Sequence, residues 1–365
     1  MELFKAHKQW SERPNDERFP TLQALYNATR EYADLAREKE LPFSDLRVEA
    51  IDADVQLVGR KGIPAKLTNW VFGQLCSRLG APASYLRELP ATLAAQNLNH
   101  GFAYRAGEMI DAGNSNRAQL LFHMNGDSLL LRALTSDKYS RIWNFEIAER
   151  LLDLESQGWS VAMPDIRSLG DDKPPLYASD HDMFVFLRMP NVVVAENLGS
   201  SNAPIYRGLI AENSEVGASS LKLTRFFYNE MCGNHIIWGA SNVVEISVRH
   251  VGNAREHWST FAAQVAKWSN ESATDEIRII ESAKSRVIAA TKDEILDALF
   301  GKRILGLTRK VLQAGYDCVV PDQDGSPNTV WGIVQGITRH SQSYPHADTR
   351  TAIDRAAGKL LTVDF

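Results

Sequence analysis

Cysteine is scarce in this chain. Three in 365 residues, at 76, 232 and 318, are odd in number and far apart, so they cannot form a disulfide framework. No CxxC pair occurs, and a reduced, cytoplasmic protein is expected. No apolar run approaches the ~18 residues of a membrane span, and the opening MELFKAHKQWSERPNDERF lacks the apolar core of a signal peptide. The nine histidines do not pair at ligand spacing. Asp180-His181-Asp182 is the densest local cluster and reads as loop decoration; Asp322, Asp324 and Gly325 lack the closing glutamate of a calcium loop and read as a turn. GxSxG, GxxxxGK[ST] and GxGxxG are all missing, and the single SxxK, at Ser219 to Lys222, has no partner motifs. These absences point away from an enzyme and leave no expected catalytic residue, metal or cofactor.

What remains is ordinary globular composition, with 44% hydrophobic and 23% charged residues. The length predicts roughly two domains, and the net charge of −5 disfavours indiscriminate binding of polyanions. Three zones follow from the hydrophobic patterning. Residues 1–111 form a mixed α/β region, with helical spacing over 19–39, alternation over 47–59, and a helix at 69–79 that Thr68 caps and Gly80 stops. Short helices follow Pro82 and Pro90. Residues 112–253 form an antiparallel β-rich domain, marked by the Asn125-Gly126 turn signal and interrupted by a helix at 143–157 capped by Asn144. Residues 254–365 are helical. Strands followed by a run of helices give an α+β fold with a central curved antiparallel sheet.

The stretch 205–249, IYRGLIAENSEVGASSLKLTRFFYNEMCGNHIIWGASNVVEISVR, holds the most chemistry. As a strand, 221–228 places Lys222, Thr224, Phe226 and Tyr228 on one face and Leu221, Leu223, Arg225 and Phe227 on the other. The first face suits base stacking and phosphate attraction, and equally suits a strand whose aromatics belong to a core. The polar turn Asn213, Ser214, Glu215 and Gly217 either presents Glu215 to a ligand or makes a sheet corner. Two more cationic groups stand out: Arg132, Lys138 and Arg141 beside Tyr139, and Lys302, Arg303, Arg309 and Lys310. Each fits a nucleic-acid contact, and the second fits a solvated helix face as well.

The segment LLLRALTSDKYSRIWNFEIAERLL resembles a motif of the phage/plasmid-like protein family, a domain family of bacteriophages, prophages and plasmids. LTNWVFGQLCSRLGAPASYL, IYRGLIAENSEVGASSLKLTRFFYNEMCGNHIIWG and NTVWGIVQGITRHSQ match the same pattern in order, from residue 67 to the C-terminus. The N-G step usual after the family's cysteine is replaced by Gly233-Asn234-His235. The resemblance implies a mobile-element protein and carries over no catalytic residue. In outline the expected fold is also similar to phage single-strand annealing proteins. A protein that binds single-stranded DNA and promotes annealing or recombination, as a homo-oligomer, is the first expectation. A non-enzymatic protein acting on a host defence or replication factor is the second. A metal-dependent enzyme on DNA, with Glu215 and loop aspartates as ligands, is the third.

Overall fold

The computed structural model describes residues 10–59, 63–111, 117–163, 174–196, 204–229, 234–237, 246–252, 256, 258–301 and 306–365. The fold is α+β. After a two-residue strand β1 (Glu17–Arg18), Thr21 accepts from the Ala24 amide and starts α1 (Leu22–Asp34). The helical spacing expected to 39 stops five residues short. Ala36–Pro42 is strand β2, paired with β6 (Arg117–Asn125). Its sequence AREKELP carries charges outward at the end of the sheet, which suits an edge strand exposed to water.

The alternating stretch forms the hairpin of β3 (Arg47–Ile51) and β4 (Asp54–Val58), turning at Asp52 and Ala53 with φ of 50° and 64°. Strand β5 (Ala65–Leu67) leads into α2 (Asn69–Leu79), where Thr68 Oγ1 accepts from Val71 N at 3.2 Å and Gly80 adopts φ 68°. Both termini are those the sequence predicts. Helices α3 (Ala83–Glu88) and α4 (Ala91–Asp111) follow, the second longer than its expected end near 98. Strand β7 (Ser128–Ser136) returns beside β6 through Gly126 and Asp127, Asn125 pairing with Ser128. The resulting six-stranded sheet runs β2-β6-β7-β5-β4-β3, with β5 parallel to β7 and the other pairs antiparallel. Strands on both sides of the expected 111/112 boundary therefore share one sheet, and α2 and α4 cover it with Val71, Phe72, Leu75, Leu98 and Phe102.

Helix α5 (Asn144–Ser156) begins one residue later than expected, with Trp143 at its cap position. Asn144 is its first residue instead of its cap. The second sheet contains β8 (Ser160–Val161), β9 (Leu176–Ala178), β10 (Met183–Glu196), β11 (Pro204–Asn213), β12 (Leu221–Asn229), β13 (Asn234–Ile237) and β14 (Ile246–Val248). Its main order is β1-β9-β10-β11-β12-β13, all antiparallel, with register shifts between Met189 and Ala195 that mark bulges in β10.

Both faces of this sheet are covered. Val185, Leu187, Leu209, Ala211, Leu221 and Leu223 pack under α1, α5 and α6 (Trp258–Asn270). Phe184, Phe186, Ile210, Phe226 and Tyr228 pack on the other side with Ala347. Here Gly208 lies opposite Phe226, and a Cβ at that position would run into the Phe226 ring. The remaining helices are α7 (Thr274–Ser285), α8 (Lys292–Gly301), α9 (Arg309–Asp317), α10 (Pro321–Asp324), α11 (Val330–Ser341) and α12 (Ala347–Lys359). Ile205 and Phe227 join their core, which centres on Trp331. Helix α9 starts at Arg309 because Thr308 caps it, accepting from Val311 N at 3.3 Å.

Candidate nucleic-acid groove and the turn that builds it

The turn after β11 is the joint between the two sheets. Asn213, Ser214 and Glu215 are at most 2% exposed. Trp70 Nε1 and Gln74 Nε2, on α2, both donate to the Val216 carbonyl, at 3.1 and 2.7 Å. Tyr139 Oη donates to the Ser214 carbonyl at 2.9 Å, and the Arg141 guanidinium donates to the Glu215 carbonyl. The Glu215 carboxylate meets Arg132 at 3.1 Å and accepts from Asn144 N at 2.8 Å. Asn213 Nδ2 donates to Ile142 O at 3.0 Å and Asn144 Oδ1 at 2.8 Å. Gly217, at φ 84°, closes the turn where an L side chain would be strained. Of the two readings of this turn, the buried sheet corner is the one observed. Glu215 is occupied by Arg132 and Asn144, which counts against the alternative in which it is presented to a ligand.

Several expected nucleic-acid contacts are turned inward. Phe226 and Tyr228 are 1% and 0% exposed, so neither offers a face to a base. The platform reading fails because Tyr177, Phe184, Phe186 and, from α12, Ala347 pack on that face of the sheet. Lys222 pairs with Glu212 at 3.1 Å, and Arg225 with Glu271 at 2.5 Å while lying 4.8 Å from the Trp268 ring. Arg132 and Arg141 are spent on the turn, and Arg141 also bonds Glu38 at 2.6 Å. Arg309 and Lys310 are exposed, with Arg309 held by Asp297 at 2.5 Å, as on a solvated helix face. Lys302 and Arg303, like Cys232, lie outside the described residues. Asp324 is fully buried, accepts from Val320 N at 2.9 Å and pairs with Arg339 at 2.8 Å, so it closes a turn. Cys76 is buried, which pushes its thiol up to about 11 and leaves it unreactive at neutral pH.

Lys138 and Tyr139 remain accessible, Lys138 exposed and Tyr139 half-buried. Tyr139 borders an open groove of about 520 Å³, and Lys138 is its neighbour in the chain. One wall is α2, with Trp70, Gln74 and Arg78; the other is the end of β7, with Leu134, Thr135 and Ser136, closed by Tyr139 and Gly217. Tyr139 is fixed from behind by His250, whose ring stacks on it at 5.1 Å and 6°. Of the residues that line the groove, Tyr139 and Gly217 stand out in the sequence, whereas Trp70, Gln74 and Arg78 do not. Their side of α2 shows only as the polar interruptions of an amphipathic helix.

Behind Trp70 lies a second polar cluster. The His181 ring stacks on Trp70 at 5.0 Å and 14°. His181 Nδ1 faces Asp180 Oδ1 at 2.6 Å, and its Nε2 faces Asp182 Oδ2 at 3.2 Å and Asp348 Oδ2 at 3.7 Å. Burial disfavours the imidazolium, but hydrogen bonds to the three carboxylates outweigh it and raise His181 to about 11. Asp348 is held below the usual carboxylate range: its partial burial is outweighed by His181 and by Arg13, 2.8 Å away.

No protein-family model matches the chain, and no curated protein or solved structure matches it. Among the described residues, no helix is long and apolar enough to cross a membrane.

Proposed function

We propose that the protein binds single-stranded DNA in the groove between α2 and the 134–139 segment, and that it does so as a mobile-element protein in annealing or recombination. The groove carries this reading. It is lined by two half-buried aromatics, Trp70 and Tyr139, and by Arg78, with exposed Lys138 next to Tyr139 in the chain. Aromatic faces for bases beside cations for phosphates are the elements of single-strand recognition. The mobile-element setting rests on the resemblance of four ordered segments to the phage/plasmid-like family. Titration of the folded protein with a fluorescent oligothymidylate at low salt tests the binding. Expected is saturable binding whose affinity falls with salt by a log–log slope of about −1.4, for roughly two phosphate contacts at ~0.7 each. No binding at low salt removes the reading.

The net charge of −5 and the neutralisation of Lys222 and Arg225 by glutamates favour a second reading, a protein acting on a host factor. A host protein captured by the chain with nuclease present, together with no oligonucleotide binding, is its expected signature.

A further inference from the structure

We infer that His181, Asp182 and Asp348 form a site for one divalent transition-metal ion, beneath Trp70. The three ligand atoms lie within 4.8 Å of one another. Neighbouring ligands around an ion with bonds of ~2.1 Å stand ~3.0–3.4 Å apart. His181 Nε2 lies 3.2 and 3.7 Å from the two carboxylate oxygens, close to that spacing.

The surrounding bonds leave these atoms available. Asp180 Oδ1 lies 2.6 Å from His181 Nδ1, the arrangement in which a carboxylate fixes the ring of a liganding histidine, and the ion would take the place of the proton on Nε2. Asp182 Oδ1 is taken by the Ser179 hydroxyl, which leaves Oδ2 toward His181. Asp348 Oδ1 accepts from Thr349 N at 2.6 Å. Arg13 occupies one lone pair of Asp348 Oδ2, and a carboxylate oxygen has two.

A second observation is independent of these spacings. Asp180 is fully buried, and its Oδ2 has no hydrogen-bond partner among the described residues. Asp16 adds another carboxylate, 2% exposed, beside Arg13 and 3.4 Å from His346 Nδ1. Four carboxylates thus gather around Arg13, His181 and His346, and against the charges of Arg13 and His181 they leave an excess of negative charge that a dication would balance. Asp348, 35% exposed at its side chain, gives the ion a route from solvent. One imidazole nitrogen with two carboxylate oxygens suits Mn²⁺ or Zn²⁺ better than a hard-oxygen ion such as Ca²⁺.

The test uses the full chain after chelation and dialysis, with no nucleic acid, so it stands or falls apart from the groove. Calorimetric titration with Mn²⁺, and separately with Zn²⁺, is expected to show one equivalent bound, with His181→Gln and Asp182→Asn weakening it at least tenfold. If those variants do not fold, Mn²⁺ added to the wild-type chain is expected to broaden the ring signals of His181 and spare those of exposed His100. Absence of binding by the folded chain, equal binding by either folded variant, or unbroadened His181 signals overturns the site.

Discussion

Trp70 and His181 lie face to face, so the aromatic wall of the groove is also the lid of the carboxylate cluster. A change at Trp70 is therefore felt on both sides. Its N–H bond to Val216 is backed by Gln74, which donates to the same carbonyl at 2.7 Å. Losing that bond alone has a limited effect on the turn. Trp70→Phe is expected to keep oligonucleotide affinity within a few fold, whereas Trp70→Leu lowers it by roughly 1–3 kcal/mol, the worth of one stacked base. Anisotropy titrations of both variants beside the wild type decide; equal affinity of Trp70→Leu and wild type removes Trp70 from the groove's binding surface.

Glu215→Gln is a stability variant. Glu215 and Arg132 are 2% and 3% exposed at their side chains, 3.1 Å apart. The amide keeps an acceptor for Asn144 N but removes the carboxylate charge that faces the buried Arg132. Breaking one partner of such a pair costs about 3–5 kcal/mol. Urea unfolding is expected to show the midpoint falling with the slope unchanged. A loss under about 1 kcal/mol would mean that the interior carries little of the charge's cost.

The parts of the fold that were legible in the sequence are those set by local chemistry. Thr68 and Gly80 bracket α2 because a cap oxygen and a left-handed residue act within four positions. Gly126 turns the β6–β7 hairpin for the same kind of reason. Strand β2 was not legible: AREKELP has no apolar alternation, and only pairing with β6, some eighty residues on, makes it a strand. Lys222, Phe226 and Tyr228 have the alternation of a binding platform, yet what covers the two rings is remote in sequence: Tyr177, Phe184 and Phe186 from earlier strands, and Ala347 more than a hundred residues later. The NSEVG turn stands out in the sequence for its polarity, and its side chains bond Arg132, Asn144, Ile142 and His181 within the fold. The His181 cluster showed only as three adjacent residues, because Arg13 and Asp348 reach it from opposite ends of the chain.

Gly208 and Phe226 yield a coupled pair. The ring sits where a Cβ would stand, so Gly208→Ala forces the ring or the strand to move. Overpacking of this kind costs about 1–3 kcal/mol. In Phe226→Leu the ring is gone, and adding Gly208→Ala to it is expected to cost much less than it does alone. A double-mutant cycle read by urea denaturation measures the coupling; additive losses would show that the ring is not what holds the position to glycine.

Two buried histidines set an acid limit on stability. Burial lowers His123 to about 4, assisted by the nearby charge of Arg132; its ring meets Tyr32 edge-on at 6.1 Å. Burial likewise lowers His250 to about 4, where it stacks on Tyr139 with Arg141 close by. Both ionise near 6.5 once unfolded. At pH 7 neither state carries the protons, and their full contribution is present. As pH falls from 6.5 to 4, the unfolded chain takes up protons that the folded chain refuses, so stability drops by up to ~1.4 kcal/mol per pH unit for each histidine. Below about 4 their effect levels off. Urea midpoints at pH 7, 6, 5 and 4.5 are expected to fall monotonically. His250→Phe, which keeps a ring against Tyr139 without a titrating group, is expected to flatten the slope by up to one proton's worth. An unchanged slope in that variant would show that His250 is protonated alike in the folded and unfolded states.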